Sequence, residues 1–306
     1  MAKPQLTMGP VLFHWSAEQK RDFWFRVADE APVDVAYLGE VICSKRTPFF
    51  DSHLPEVAER LIAGGKKVVW VTMAEVLSKL DRNTVSGMIV LEGAEIEAND
   101  SSALSRLSGR PHRIGQYFNV YNELAMEHLA RNGACHFTLP VELPAGSFST
   151  LAATAHKLGA GMEVQIFGRV GLALSARCYH ARAHGRTKDN CLFVCENDPD
   201  GMDLKTHSGA PFLSINGIQT LSHRFLNLSR EVGELKEIGV TAFRLSPHSC
   251  DMIAVSRLYR ELLDERVTAD ETDNRLVELG VRQPMMNGFF HAKPGFERVA
   301  AHASGE

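Results

Sequence analysis

Short apolar runs recur eight times along this chain, and most are followed by a segment with helical spacing. The runs fall at 9–15, 33–39, 67–72, 94–98, 112–118, 135–139, 162–167 and 241–245. Behind the first, Ser16 and Gln19 form a capping box ahead of Phe23, Trp24 and Val27. Behind the second, Leu54, Val57, Ala58, Leu61 and Ile62 mark one helix face, closed by Gly64 and Gly65. Helices are expected again at 74–80, 119–131 and 147–158, with a short one before 112. Met252, Val255, Leu258, Tyr259 and Leu262 give the last strong amphipathic face. Strands that alternate with helices point to a mostly parallel, closed (β/α) barrel of the TIM type. An open doubly wound sheet is the alternative, but no G-x-G-x-x-G turn or P-loop accompanies the strands.

One connection breaks the rhythm. About sixty residues, 168–228, separate the seventh strand from the eighth, far more than an ordinary loop. We therefore expect a barrel domain over 1–264 that includes this insertion, and a C-terminal extension, 265–306, whose far end is loosely packed. The insertion carries Cys178, Cys191 and Cys195, three of the six cysteines within eighteen residues, amid Arg, His, Lys and Asp. Thiolate is the ligand form, and nearby cations favour it. In a (β/α) barrel the loops after the strands open on one face. Cys43, just after the second strand, belongs to the same rim as the cluster, although 134 residues lie between it and Cys178. Cys135 starts its strand and reads as a buried small apolar side chain near the opposite face. Cys250 opens the last helix on the correct rim and is a weaker candidate to replace a ligand.

Four thiolates suit an iron–sulfur cluster or a structural zinc. Zinc sites favour close Cys-x2–4-Cys pairs, and here only one pair is close, so spacing leans toward a cluster; a metal-free site stays open too. His180 and His184, four apart, are zinc ligands if they share a helix face, and otherwise solvated or supporting groups. Lys45, Arg46, Arg177, Arg182, Arg186 and Lys188 flank the thiols and would tune a cluster's potential, unless they are ordinary solvated loop charges. On this reading, loss of Arg177 lowers that potential.

The composition, 44% hydrophobic and 23% charged over 306 residues, is that of a globular protein with a large core. A formal net charge of −4 gives no general signal for nucleic acid. The N-terminus lacks the apolar core of a secretory signal, and no run reaches the ~20 apolar residues of a membrane span. The expectation is a cytoplasmic protein, not integral to the membrane, in which clustered cysteines bind metal rather than pair as disulfides. Polar residues after strands, Glu40, Asn119, Asn122, Glu142 and Arg244, are candidates to contact substrate. Helix caps and rim ion pairs are the plainer reading of each. Arg244 stands out because its planar fork matches a carboxylate. No Ser-His-Asp set and no H-E-x-x-H appear, so the catalytic residues stay unknown.

The motifs Tyr37-Leu-Gly-Glu-Val-Ile-Cys43-Ser-Lys-Arg46, Leu139-Pro-Val-Glu-Leu143, Ser175-Ala-Arg-Cys178, Lys188-Asp-Asn-Cys191-Leu-Phe-Val-Cys195, Asn216-Gly-Ile-Gln-Thr220 and Arg244-Leu-Ser-Pro247 carry a resemblance. Over most of its length the chain resembles the collagenase-like peptidase family, in particular the members that serve oxygen-independent ubiquinone biosynthesis. The resemblance implies a 4Fe–4S cluster on Cys43, Cys178, Cys191 and Cys195. It implies a heterodimer with a second family member, a UbiU-like subunit, that hydroxylates the ubiquinone precursor ring with prephenate as oxygen donor. A UbiT-like lipid-binding accessory protein is implied as the presenter of that substrate. The extended tail and Cys250 depart from the pattern. Three functions follow: a subunit of an oxidoreductase, a scaffold that its metal only staples, or a zinc-containing peptidase-like protein.

Overall fold

A computed structural model describes residues 3–91 and 93–300. Its strands are β1 (Gln5–Met8), β2 (Val35–Leu38), β3 (Lys67–Val71), β4 (Glu95–Ala98), β5 (His112–Ile114), β6 (Ala134–Leu139), β7 (Gly161–Leu174), β8 (Met202–Lys205), β9 (Pro211–Asn216), β10 (Gln219–Asn227) and β11 (Ala242–Leu245). Strands β1 to β7 pair in sequence order and in parallel. β11 then closes the ring by pairing in parallel with both β7 and β1. This is the closed eight-stranded (β/α) barrel that the alternation predicts.

The insertion is built as a continuation of the barrel wall. β7 runs for 14 residues. Its first half pairs in parallel with β6 and β11, and its second half pairs antiparallel with β10, which leads on to β9 and β8. Gly168 sits at the changeover with φ +104, where a Cβ would come within 2.7 Å of the Ser246 side chain. Only glycine reaches that backbone conformation without strain, so the strand leaves the barrel there and rises over its mouth.

Two local expectations shift. The first strand is Gln5–Met8 rather than 9–15. The apolar run that follows is buried as a loop beneath the insertion: Trp15 donates its indole N–H to the Pro199 carbonyl at 2.8 Å, and Leu12 accepts from Asn216 Nδ2 at 2.7 Å. Burial by another loop gives the same apolar signal as burial in a sheet. The helix expected at 74–80 is instead Lys79–Ile89, started by a capping box between Ser78 and Asp81. The helices Ala17–Glu30, Leu54–Ala63, Glu123–Arg131, Ala145–Lys157 and Met252–Leu263 lie where the periodicity puts them.

The extension is packed through its described part. After the helix Ala269–Glu278, Met286 bridges to Leu226 in parallel, and its N–H donates to Phe225 O at 2.8 Å. Met285, Met286 and Phe290 are buried, and Phe290 stacks on Phe148 with ring centres 6.0 Å apart. Asp273 ties this segment down, accepting from Asn227, Ser229, Arg230 and Arg298. The far end of the tail lies outside the described residues. Among the described residues, no helix is long and apolar enough to cross a membrane.

Candidate metal centre at the barrel rim

Cys43 follows β2 at the barrel mouth. Glu40, itself buried, fixes the turn by accepting from the backbone N–H groups of Ile42 and Cys43, each at 3.0 Å. Burial pushes the Cys43 thiol up, and the neighbouring Arg46 guanidinium opposes that shift. Arg46, one 3-10 turn further on, is almost fully buried. It donates to the Leu12 carbonyl at 2.8 Å and to Asn216 Oδ1 at 2.9 Å, spanning the N-terminal loop and the end of β9. Its Nε has no hydrogen-bond partner, although Cys43 and Cys195 both stand close enough to stabilise its charge.

The insertion supplies the other thiols. Cys178 caps the short helix Tyr179–Ala183, its Sγ accepting from Ala181 N at 3.4 Å. Burial raises this thiol too, while Arg46 and the Ala181 N–H pull the other way. Lys45 reaches from the Cys43 turn to the 188–191 loop, donating to the Lys188 carbonyl at 2.8 Å and the Asp189 carbonyl at 3.1 Å, with Cys191 Sγ at 3.9 Å. Between Cys191 and Cys195 the chain passes through two left-handed residues, Leu192 at φ 46 and Phe193 at φ 52. Two consecutive non-glycine residues there are costly. Packing holds the second in place: Phe193 meets Phe49 edge to face at 4.7 Å and His14 at 5.6 Å. His14 is held down to about 4 by burial and by the Arg46 and Lys20 charges, so it packs as a neutral ring.

Cys43, Cys178, Cys191 and Cys195 thus line one small recess, together with Lys45, Arg46, His180, Lys188 and Gly217. Gly217 is there for room: with φ +62, a Cβ on it would come within 2.9 Å of Arg46 Nη2. All six cysteines are free. A tetrahedral zinc with Zn–S bonds of about 2.3 Å would draw its sulfurs to about 3.8 Å apart. No three of these sulfurs lie mutually within 4.8 Å among the described residues. The donor set is all-sulfur, more widely spaced than one zinc requires, and accompanied by a buried guanidinium whose Nε–H lacks an acceptor. Those features fit a thiolate-held cluster, whose sulfides accept such hydrogen bonds.

Residues 23–300 match the model of Peptidase family U32. The chain belongs to that family. Among solved structures it is similar to a candidate fructose-1,6-biphosphate aldolase from Coccidioides immitis, at 10% identity over 90% of this chain and 87% of that one, with a TM-score of 0.43. It is also similar to a phospho-2-dehydro-3-deoxyheptonate aldolase from Thermotoga maritima, at 14% identity over 92% of this chain and 71% of that one, with a TM-score of 0.41. At such scores neither likeness bears on the chemistry.

Inside this U32 barrel lies a polar core that sequence reasoning passed over, except for Arg244. The Arg244 guanidinium donates to Glu97 Oε2 at 2.5 Å and to Glu163 Oε1 at 2.9 Å, and lies 3.9 Å over the Tyr37 ring. Glu163 also accepts from Thr7 at 2.5 Å and from the Tyr37 hydroxyl, and meets His136 Nε2 at 2.9 Å. Arg113 donates to that same hydroxyl at 2.7 Å. Against the burial that would raise it, the Arg244 charge and the His136 hydrogen bond hold the Glu163 carboxyl well below the usual range. Glu97 and Arg244 then form the floor of a narrow cavity at the mouth, lined by Tyr117, Gln116, Gln165 and Ser246. Tyr117 joins this floor to the insertion by accepting from Gln219 Nε2 at 2.9 Å. The signal for the core was polar residues at period two, Glu95 and Glu97, then Glu163 and Gln165, within otherwise apolar strands.

The remaining candidates scatter. Glu40 supports the Cys43 turn. Asn119 is exposed, in a left-handed conformation at φ 52 that ends a 3-10 turn. Asn122 caps the helix Glu123–Arg131, accepting from Ala125 N at 2.9 Å. Glu142 accepts the Tyr121 hydroxyl on the rim. Arg177 is exposed and lines no part of the recess. Cys135 is exposed rather than buried, since β6 begins at the barrel's open lower edge. Cys250 faces a different groove, with its Sγ 3.6 Å from Met252 Sδ, and is not placed with the four.

Proposed function

We propose that this U32 protein is a UbiV-like iron–sulfur subunit. It acts with a UbiU-like subunit in hydroxylating the ubiquinone precursor ring without O2, prephenate donating the oxygen and a UbiT-like protein presenting the lipid. What supports this most is a single observation: one early and three late cysteines converge on a recess whose walls carry Lys45 and a buried Arg46. In this reading Cys43, Cys178, Cys191 and Cys195 hold a 4Fe–4S cluster. The cluster, when bound, supplies one-electron chemistry. Arg46 balances its negative charge and directs an N–H toward it; Lys45 closes the loop that carries Cys191; Glu40 orients Cys43. Arg244, already engaged by Glu97 and Glu163, holds the floor beneath the mouth as much as it offers a fork to an organic acid. Asn119 and Glu142 would meet substrate or partner on the rim.

Anaerobic purification with the UbiU-like partner, followed by iron, sulfide and zinc analysis and a visible spectrum, tests the proposal. About four iron and four sulfide per chain, with a brown chromophore, are expected. A colourless, zinc-loaded protein would overturn it. A folded Cys191→Ser heterodimer that lacks iron yet still hydroxylates would instead make the chain a scaffold.

A further inference from the structure

Beside the cysteine recess, and sharing no sulfur with it, the geometry points to a second metal site: a divalent transition ion held by His180, His184 and Asp198. One ligand atom from each lies within 4.8 Å of the other two. The elements that bring them together are short but anchored. His180 belongs to the helix Tyr179–Ala183 and His184 is its C-cap, so the two rings stand one turn apart on one face, 5.7 Å between centres and only 18° from parallel. Asp198 follows the 3-10 turn Val194–Asn197 and faces them, its Oδ2 2.8 Å from His180 Nε2.

A His–Asp hydrogen bond is also a common structural device, and two observations go beyond it. His180 is completely buried, and with Nε2–H donating to the Asp198 carboxylate the lone pair on its Nδ1 is left without a partner, so the chain alone satisfies only one of the two ring nitrogens. A purely structural pair has no need of the third member, whereas His184 stacks on His180 although its own ring is exposed. Two neutral imidazoles and one carboxylate are borderline donors, which select zinc, iron(II), cobalt or nickel over magnesium and calcium. Three protein ligands leave positions open, and these face solvent on the side of His184 and Asp198. Asp198 also borders the polar groove of Asp200, Asp203, Arg169 and Arg282, through which water or a small anion can reach the ion.

This inference does not depend on whether the cysteines hold iron, and the test separates the two. The full-length protein, purified anaerobically, is dialysed against zinc, and zinc binding is followed together with zinc K-edge absorption. One zinc whose ligands are nitrogen and oxygen at about 2.0–2.1 Å supports the site; sulfur at about 2.3 Å means that zinc sits on the thiols and overturns it. His184→Ala, an exposed position that leaves folding intact, is expected to weaken nitrogen-ligated zinc binding by about tenfold or more while iron and sulfide content stay unchanged. Unchanged zinc affinity in His184→Ala, or no zinc uptake by the wild-type protein, would also overturn it.

Discussion

Arg46 concentrates the logic of the recess in one side chain. It is buried against carbonyl and amide oxygens, two of its nitrogens are satisfied, and the third has no partner, with Cys195 and Cys43 near the guanidinium. Arg46→Ala should cost about 3–6 kcal/mol in urea unfolding, since it removes two charged hydrogen bonds, each worth about 1.5–3 kcal/mol. In the cluster-loaded protein Arg46→Lys should lower the reduction potential, because it keeps the charge but removes the unpartnered Nε–H; redox titration checks it, and the Arg177→Ala potential should not move. Cys43→Ser should abolish iron retention while the far-UV spectrum stays native, because the barrel core does not include that residue. His14 carries a pH signature. Burial lowers its folded value to about 4 from 6.5, so between those values the unfolded chain binds a proton that the folded chain refuses. Stability therefore falls as pH drops through that window. His14→Gln should flatten this part of the stability–pH curve, measured as the difference from wild type.

The elements divide into those with a local cause and those with a distant one. The helices with strong apolar periodicity were legible because a single chain segment specifies them: Ser16 accepts from Gln19 N at 3.2 Å, the N-cap half of the expected capping box, although the Gln19 side chain makes no return bond. β4 and β7 were legible as strands, but not the reason for their inward carboxylates, because their partners come from β1, β2, β5, β6 and β11. The 9–15 run deceived for the same reason: what buries it is the insertion, far along the chain. The four thiols were nominated by topology, since loops after barrel strands share a face; Arg46 could not be singled out from the other loop cations without knowing which of them is buried. The interior network makes its own prediction. Glu163→Gln keeps the shape but leaves Arg244 and Arg113 short of one countercharge, which should cost about 3–5 kcal/mol. Because the Glu163 pKa is depressed, its contribution is complete above 4.5, the unfolded value, and is lost as pH falls toward the folded one. The wild type should thus lose acid stability more steeply than the variant below that pH.

At the scale of the molecule, the barrel is closed twice, by β11 against β1 and by the tail against its wall. Phe290 belongs to the second closure, buried at 3% exposure and stacked on Phe148. Phe290→Ala should cost about 3–5 kcal/mol, as for any deeply buried aromatic, measured by denaturant unfolding. If it costs under about 1 kcal/mol, the tail is a surface appendage. The recess depends on the first closure in another way, because its walls come from opposite ends of the barrel domain. A ribosome delivers the Cys43 turn 135 residues before Cys178. At about 5–20 residues per second, a nascent chain waits roughly 7–27 s with only one of the four recess thiols made. Were the proposed cluster bound there, its delivery would have to wait for translation to pass Cys195, and whatever loads it would meet seven formed strands rather than an emerging peptide.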